Sequence, residues 1–96
     1  MITLLNYFLG RTPVNFSELL KRNALLVDVR TPGEFAQGKV AGSINIPLQV
    51  LSNQLAPLKS LNHPIIVYCR SGVRSAQAKK IQEKAKIEVY KAGSRI

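Results

Sequence analysis

The chain has no tryptophan, one histidine, one methionine and one cysteine among its 96 residues. A single cysteine excludes an internal disulfide, and a lone thiol fits a reducing compartment better than an oxidising one. The one histidine, His63, precedes Pro64 in a turn with no motif around it, so a Cys–His nucleophile pair has poor support. Acidic residues are scarce, five against fourteen basic ones, giving a net charge of +9. Such an excess attracts polyanions without selecting one. Lys79, Lys80, Lys84, Lys86 and Lys91 gather toward the end without interleaved aromatics. This pattern reads as a solvated basic face that steers small anions or an acidic partner, not as a specific nucleic-acid site. No apolar run approaches the ~20 residues of a membrane helix. Met1 to Gly10 lacks the basic start and cleavage pattern of a signal peptide, so a cytoplasmic domain without a membrane anchor is the expectation.

What the chain does have is a 46% share of aliphatic and aromatic residues, enough for one small domain with one core. Asn15 with Glu18 three residues on predicts a capping box, followed by a short helix whose apolar face is Phe16, Leu19 and Leu20. Ala24 to Val29 is an apolar, partly β-branched run suited to a strand buried on both faces. Thr31, Pro32 and Glu34 start another helix, with Pro32 at the first helical position. Gly38 and Gly42 bracket a turn, and Ser43 to Ile46 reads as a second strand. Leu48, Leu51, Leu55 and Leu58 mark a helical stripe that Pro57 is expected to disturb near its end. Asn62-His63-Pro64 is a turn and Ile65 to Tyr68 a central strand. In the next helix Ala78, Ile81 and Ala85 share a face opposite Lys80, Glu83 and Lys84, and Ile87 to Tyr90 is a last short strand. Strands alternating with helices predict an α/β fold, a small central parallel sheet with helices on both faces. Residues 14–96 form that domain, and residues 1–13 an apolar extension suited to packing on it or on a partner.

The central strand delivers Cys69 into the run Cys69-Arg70-Ser71-Gly72-Val73-Arg74. At a strand-to-helix junction, successive backbone N–H groups without partners turn inward and line an anion-sized bowl, to which the helix dipole adds partial positive charge. A thiol there, with Arg70 and Arg74 in the same loop, is expected to ionise below the ~8.5 of free cysteine. Ligands of parallel sheets bind beyond the carboxyl ends of the strands, where Cys69 falls. Gly72 allows the backbone to turn sharply inward. A cation at Arg74 opposes the helix dipole, a cost tolerated if it serves an anion. Asp28 and Arg30 read as a structural ion pair at a strand end, and Glu34 as a helix-start residue and not a general acid.

Three separated segments resemble a known family. They are Leu26-Val27-Asp28-Val29-Arg30 followed by Glu34-Phe35, then Gly38-x-x-Ala41-Gly42-Ser43-x-Asn45-Ile46-Pro47, and finally Tyr68-Cys69-Arg70-Ser71-Gly72-x-Arg74-Ser75. Their order and spacing are similar to a single-domain rhodanese, a sulfurtransferase module, over roughly residues 14 to 93. Two segments depart from that pattern: Gly38-Lys39-Val40 stands where members often carry Gly-His-Ile, and Ala92-Gly93 where Gly-Gly is usual.

The resemblance implies a Cys69 persulfide that passes sulfur from a small anionic donor such as thiosulfate to a thiol, a protein cysteine or cyanide, with no metal or organic cofactor. Arg70, Ser71, Gly72, Val73 and Arg74 would then bind the donor, and Asp28 and Arg30 would support the site. Cysteine-dependent phosphatases and arsenate reductases use similar logic, but the six residues from Cys69 to Arg74 are one fewer than a phosphatase loop needs to ring a tetrahedral phosphate. A non-catalytic binding or redox-sensing module is the other alternative.

Overall fold

A computed structural model describes residues 15–92. The expected extension at residues 1–13, and Gly93, lie outside the described residues. The elements are α1 (Phe16–Lys21), β1 (Leu25–Asp28), α2 (Pro32–Gln37), β2 (Ile44–Asn45), a 3-10 helix (Leu48–Gln54), α3 (Leu55–Leu61), β3 (Ile65–Tyr68), α4 (Val73–Lys84) and β4 (Val89–Lys91). The four strands form one parallel sheet in the order β2-β1-β3-β4, so β3 lies between β1 and β4.

Alternation along β3 sorts the core. Ile65, Val67 and Cys69 join Val27, Val29 and Val89 on one face, covered by Leu51 of the 3-10 helix, Leu58 of α3 and Ala78 of α4. Ile66 faces the other way and packs with Leu19 and Phe16 of α1, Leu26 and Tyr90. Helices thus cover both faces, as the alternating pattern predicts. Among the described residues, no helix is long and apolar enough to cross a membrane.

The caps explain where the helices begin. Thr31 accepts from the Glu34 N–H while Glu34 accepts from the Thr31 N–H, a complete capping box with Pro32 at the first helical position. At α1 only half of the expected box forms: the Asn15 side chain accepts from the Glu18 N–H.

One helical expectation is corrected and one is extended. The leucine stripe is not one helix disturbed by Pro57 near its end; it divides into a 3-10 helix and α3 at Leu55. Pro57 is the third residue of α3, where an N–H has no intrahelical acceptor, so its missing donor costs nothing there. In α4 the fully buried positions are Ser75, Ala78 and Gln82, with Ile81 and Ala85 half-buried at the edge of that face. The expected face of Ala78, Ile81 and Ala85 is the packed one, with Lys80, Glu83 and Lys84 exposed, and the polar Ser75 and Gln82 belong to it too, which an apolar pattern does not reveal.

Candidate active site

The sheet presents Cys69 one residue beyond the carboxyl end of β3, on the face that α4 covers. The thiol has no solvent-exposed surface. Gly72 caps α4 with φ +87°, a left-handed conformation that glycine adopts without strain. That turn brings the start of α4 back over the sulfur. The Gly72 N–H donates to Cys69 Sγ at 3.0 Å and the Ser75 N–H at 3.3 Å. The thiol in turn donates to Ser75 Oγ at 3.4 Å, and the Ser75 hydroxyl donates to the Gly72 carbonyl at 3.1 Å. Two amides at the start of α4 are therefore directed at the sulfur itself.

Burial pushes the Cys69 thiol up, but hydrogen bonds from the Ser75 side chain and from the amides of Ser75, Gly72 and Arg74 outweigh it and hold the thiol below its ordinary value. Loss of the thiol proton frees Ser75 Oγ from accepting and lets its hydroxyl turn toward the sulfur. A thiolate so placed is a nucleophile at the dipole-positive end of a helix of 12 residues.

Around this centre the arginines have distinct places. Arg74, in the first turn of α4, makes a paired contact with Glu34, at 2.7 Å and 3.1 Å. Its charge, unfavourable at a helix start, is matched by the Glu34 carboxylate of α2. Arg74 and the Thr31 amide hold the Glu34 carboxyl down at about 2, so it is ionised at neutral pH and has no proton to give. Arg70 is exposed and borders a cleft of about 280 Å³ with Arg30, Glu34, Gln37 and Gly38. Ser71 accepts the Val73 N–H at 3.4 Å through its Oγ, and Val73 itself is exposed.

At the end of β1, Asp28 is fully buried and accepts from Arg30 Nε and from an Arg30 terminal nitrogen at 2.7 Å. Arg30 also donates to the Gly38 carbonyl at 2.6 Å and lies over the Tyr68 ring, 5.5 Å from its centroid. Asn45 of β2 donates to the carbonyls of both Asp28 and Arg30 at 2.9 Å. This cluster fixes the strand end beside Cys69. His63 instead lines a separate cavity of about 170 Å³ before β3 and β4, at the opposite end of the sheet.

Sequence reasoning placed Cys69 and its loop but gave no role to Ser75, although Ser75 closes the third matching segment. A serine six residues after a cysteine carries meaning only once the turn at Gly72 folds the helix start back onto the sulfur. Asn45 likewise stands in the second segment, and its two carbonyl partners are set by the pairing of β1 with β2.

Comparison with known proteins bears on the family and the fold. A sulfurtransferase of Allochromatium vinosum is 38% identical over 56 residues, covering 58% of this chain and 51% of that protein. The thiosulfate sulfurtransferase PspE of Escherichia coli is 41% identical over 56 residues, covering 57% of this chain and 54% of that protein. The chain thus spans about half the length of these curated relatives. The human single-domain sulfurtransferase TSTD1 superposes with a TM-score of 0.68 at 25% identity, covering 84% of this chain and 85% of that one. The family model of the rhodanese-like domain matches residues 12–94. With that match over nearly all of its length, on a parallel sheet that ends in a cysteine held by two helix-start amides, this chain belongs to the rhodanese-like domain family.

Proposed function

We propose that the chain is a sulfurtransferase that carries sulfane sulfur as a persulfide on Cys69. The observation that carries this reading is the position of Sγ, held by the Gly72 and Ser75 amides at the start of α4. The thiolate attacks the outer sulfur of an anionic donor, with thiosulfate as the type. A sulfur–sulfur bond to Cys69 forms, the donor's own sulfur–sulfur bond breaks, and its electron pair leaves with sulfite. An acceptor thiolate or cyanide then attacks the terminal sulfur, and the electron pair returns to Cys69 Sγ. Neither half-reaction requires a metal or an organic cofactor.

The amides of Gly72, Arg74 and Ser75, which already face Sγ, stabilise the persulfide, and the loop from Arg70 to Arg74 receives the donor. Arg70, at the mouth of the cleft, attracts the donor. Arg74 contributes its amide, while its guanidinium holds α2 through Glu34. Asp28 and Arg30 support the loop from β1. Because the chain has one cysteine, a second molecule must supply any resolving thiol, which suits a reducing cytoplasm.

The full burial of Cys69 favours a second reading, a non-catalytic binding or sensing module. One experiment separates the two. The chain is incubated with thiosulfate, and its intact mass is measured before and after cyanide or dithiothreitol is added. A gain of one sulfur atom, absent in Cys69→Ser and discharged by the acceptor, is expected. No gain from thiosulfate or from glutathione persulfide would overturn the catalytic reading.

A further inference from the structure

We propose that Lys91 is a donor-binding residue of the Cys69 site, supplying the second positive charge that a dianionic donor meets there. The proposal rests on the sulfurtransferase reading and adds a residue far from the cysteine loop in sequence.

Four basic side chains stand near the carboxyl end of β3, and two are already matched. Arg30 is paired with Asp28 and Arg74 with Glu34. The remaining salt bridge among the described residues joins Arg22 to Glu88, before β4. Arg70 and Lys91 therefore have no carboxylate partner among the described residues, and both are exposed. Pairing lowers the attraction a cation offers to an incoming anion, so Arg70 and Lys91 are the two available to the donor.

Their placement follows from the strand order. Arg70 borders the cleft shared with Arg30 and α2, on the β1 side of the loop. Lys91 ends β4 on the other side of β3, in register with Val67, and the Ala92 N–H donates to the Val67 carbonyl at 2.9 Å. By strand alternation Lys91 projects to the same face as Val89, which is the face of Val67 and Cys69. Its ammonium reaches the cysteine loop: Nζ lies 3.6 Å from the position a Cβ on Gly72 would take. Gly72 is the residue whose N–H donates to the sulfur. A sulfonate whose outer sulfur approaches Cys69 thus has a guanidinium on one side of the loop and an ammonium on the other.

In the reaction, the charge on the departing sulfite is the part of the donor these cations recognise. Lys91 strengthens donor binding and does not touch the sulfur being transferred. The effect of its removal falls on KM more than on kcat.

The test compares the native chain with Lys91→Met, Lys91→Arg and Lys91→Glu, measuring steady-state sulfur transfer from thiosulfate to cyanide at low and high salt. Modification of Cys69 by methyl methanethiosulfonate, an uncharged reagent, is timed in parallel to report the nucleophile alone. At low salt, Lys91→Met is expected to raise KM for thiosulfate about fivefold, the scale of one partly solvated charge contact, with kcat changed less than about twofold. Lys91→Glu raises KM further, Lys91→Arg restores it, and the difference shrinks as salt is added. The uncharged reagent reacts with native protein and Lys91→Met at similar rates. An unchanged KM in Lys91→Met, in a chain whose native form takes up sulfur, would overturn the assignment of Lys91 alone. Equal slowing with the charged donor and the uncharged reagent would overturn it by showing that Lys91 acts on the thiol. A native chain that takes no sulfur from any donor removes the sulfurtransferase reading and this proposal with it.

Discussion

The acidity of Cys69 depends on two kinds of donor, backbone N–H groups fixed by the fold and one side-chain hydroxyl that mutation can remove. In Ser75→Ala the Ser75 amide still reaches the sulfur, but the hydroxyl that answers the thiolate is gone. The thiol pKa should therefore rise part of the way toward the ordinary cysteine range. The pH dependence of Cys69 alkylation by iodoacetamide reads this directly: its midpoint moves upward in Ser75→Ala, and an unmoved midpoint would mean that the amides alone set the acidity. At this scale the sequence reveals the nucleophile but not all that surrounds it. Cys69, Gly72 and Arg74 are neighbours along the chain, so their grouping is visible in the bare order of residues. Lys91 stands 22 positions after Cys69, and only the pairing of β4 with β3 brings it to the loop.

Elements meet at the end of β1, where Asp28 holds a buried charge that Arg30 balances. Replacing Arg30 with methionine leaves the carboxylate buried without its partner, a loss of about 3–5 kcal/mol in comparable cases. Urea unfolding of Arg30→Met is expected to show a loss on that scale; a change below about 1 kcal/mol would mean that solvent or Asn45 relieves the charge. The strands and caps here were legible because each has a local cause. An apolar, partly β-branched run gave β1, a β-branched run gave β3, and Thr31-Pro32 with Glu34 gave the start of α2. The break at Leu55 was not legible, since a leucine spacing of three or four suits a 3-10 turn followed by an α-helix as well as one α-helix. Pro57 belongs to the beginning of an element, and its meaning depends on where that element starts.

At the scale of the molecule, three acidic residues pair with arginines among the described residues, and the fourteen basic residues still outnumber the five acidic ones. Two of these pairs join segments distant in sequence, Arg74 with Glu34 and Arg22 with Glu88, the latter 66 residues apart. Hydrogen bonds first from Arg74 and from Arg22 lower the Glu34 and Glu88 carboxyls from 4.5 to about 2. Both carboxyls bind protons more weakly folded than unfolded, so the stability they contribute is complete above about 4.5 and is lost as pH falls through about 2. Urea midpoints measured from pH 6 downward are expected to stay level and then decline across that window. The decline should be shallower in a Glu34→Gln, Glu88→Gln double variant, and an equally steep decline would assign it to other groups.

The all-parallel sheet has one more consequence, for the order of events as the chain is made. No strand pair in it is a hairpin; each joins segments separated by a crossover, as when Leu25 meets Ile65 and Ile65 meets Val89. The surroundings of Cys69 are therefore assembled from distant parts, and α4 settles over the sulfur with β3 and β4 beneath it. While β4 is missing, the sheet under α4 is incomplete and Cys69 lacks part of the packing that buries it. Protection thus arrives late, as a property of the finished fold and not of the cysteine.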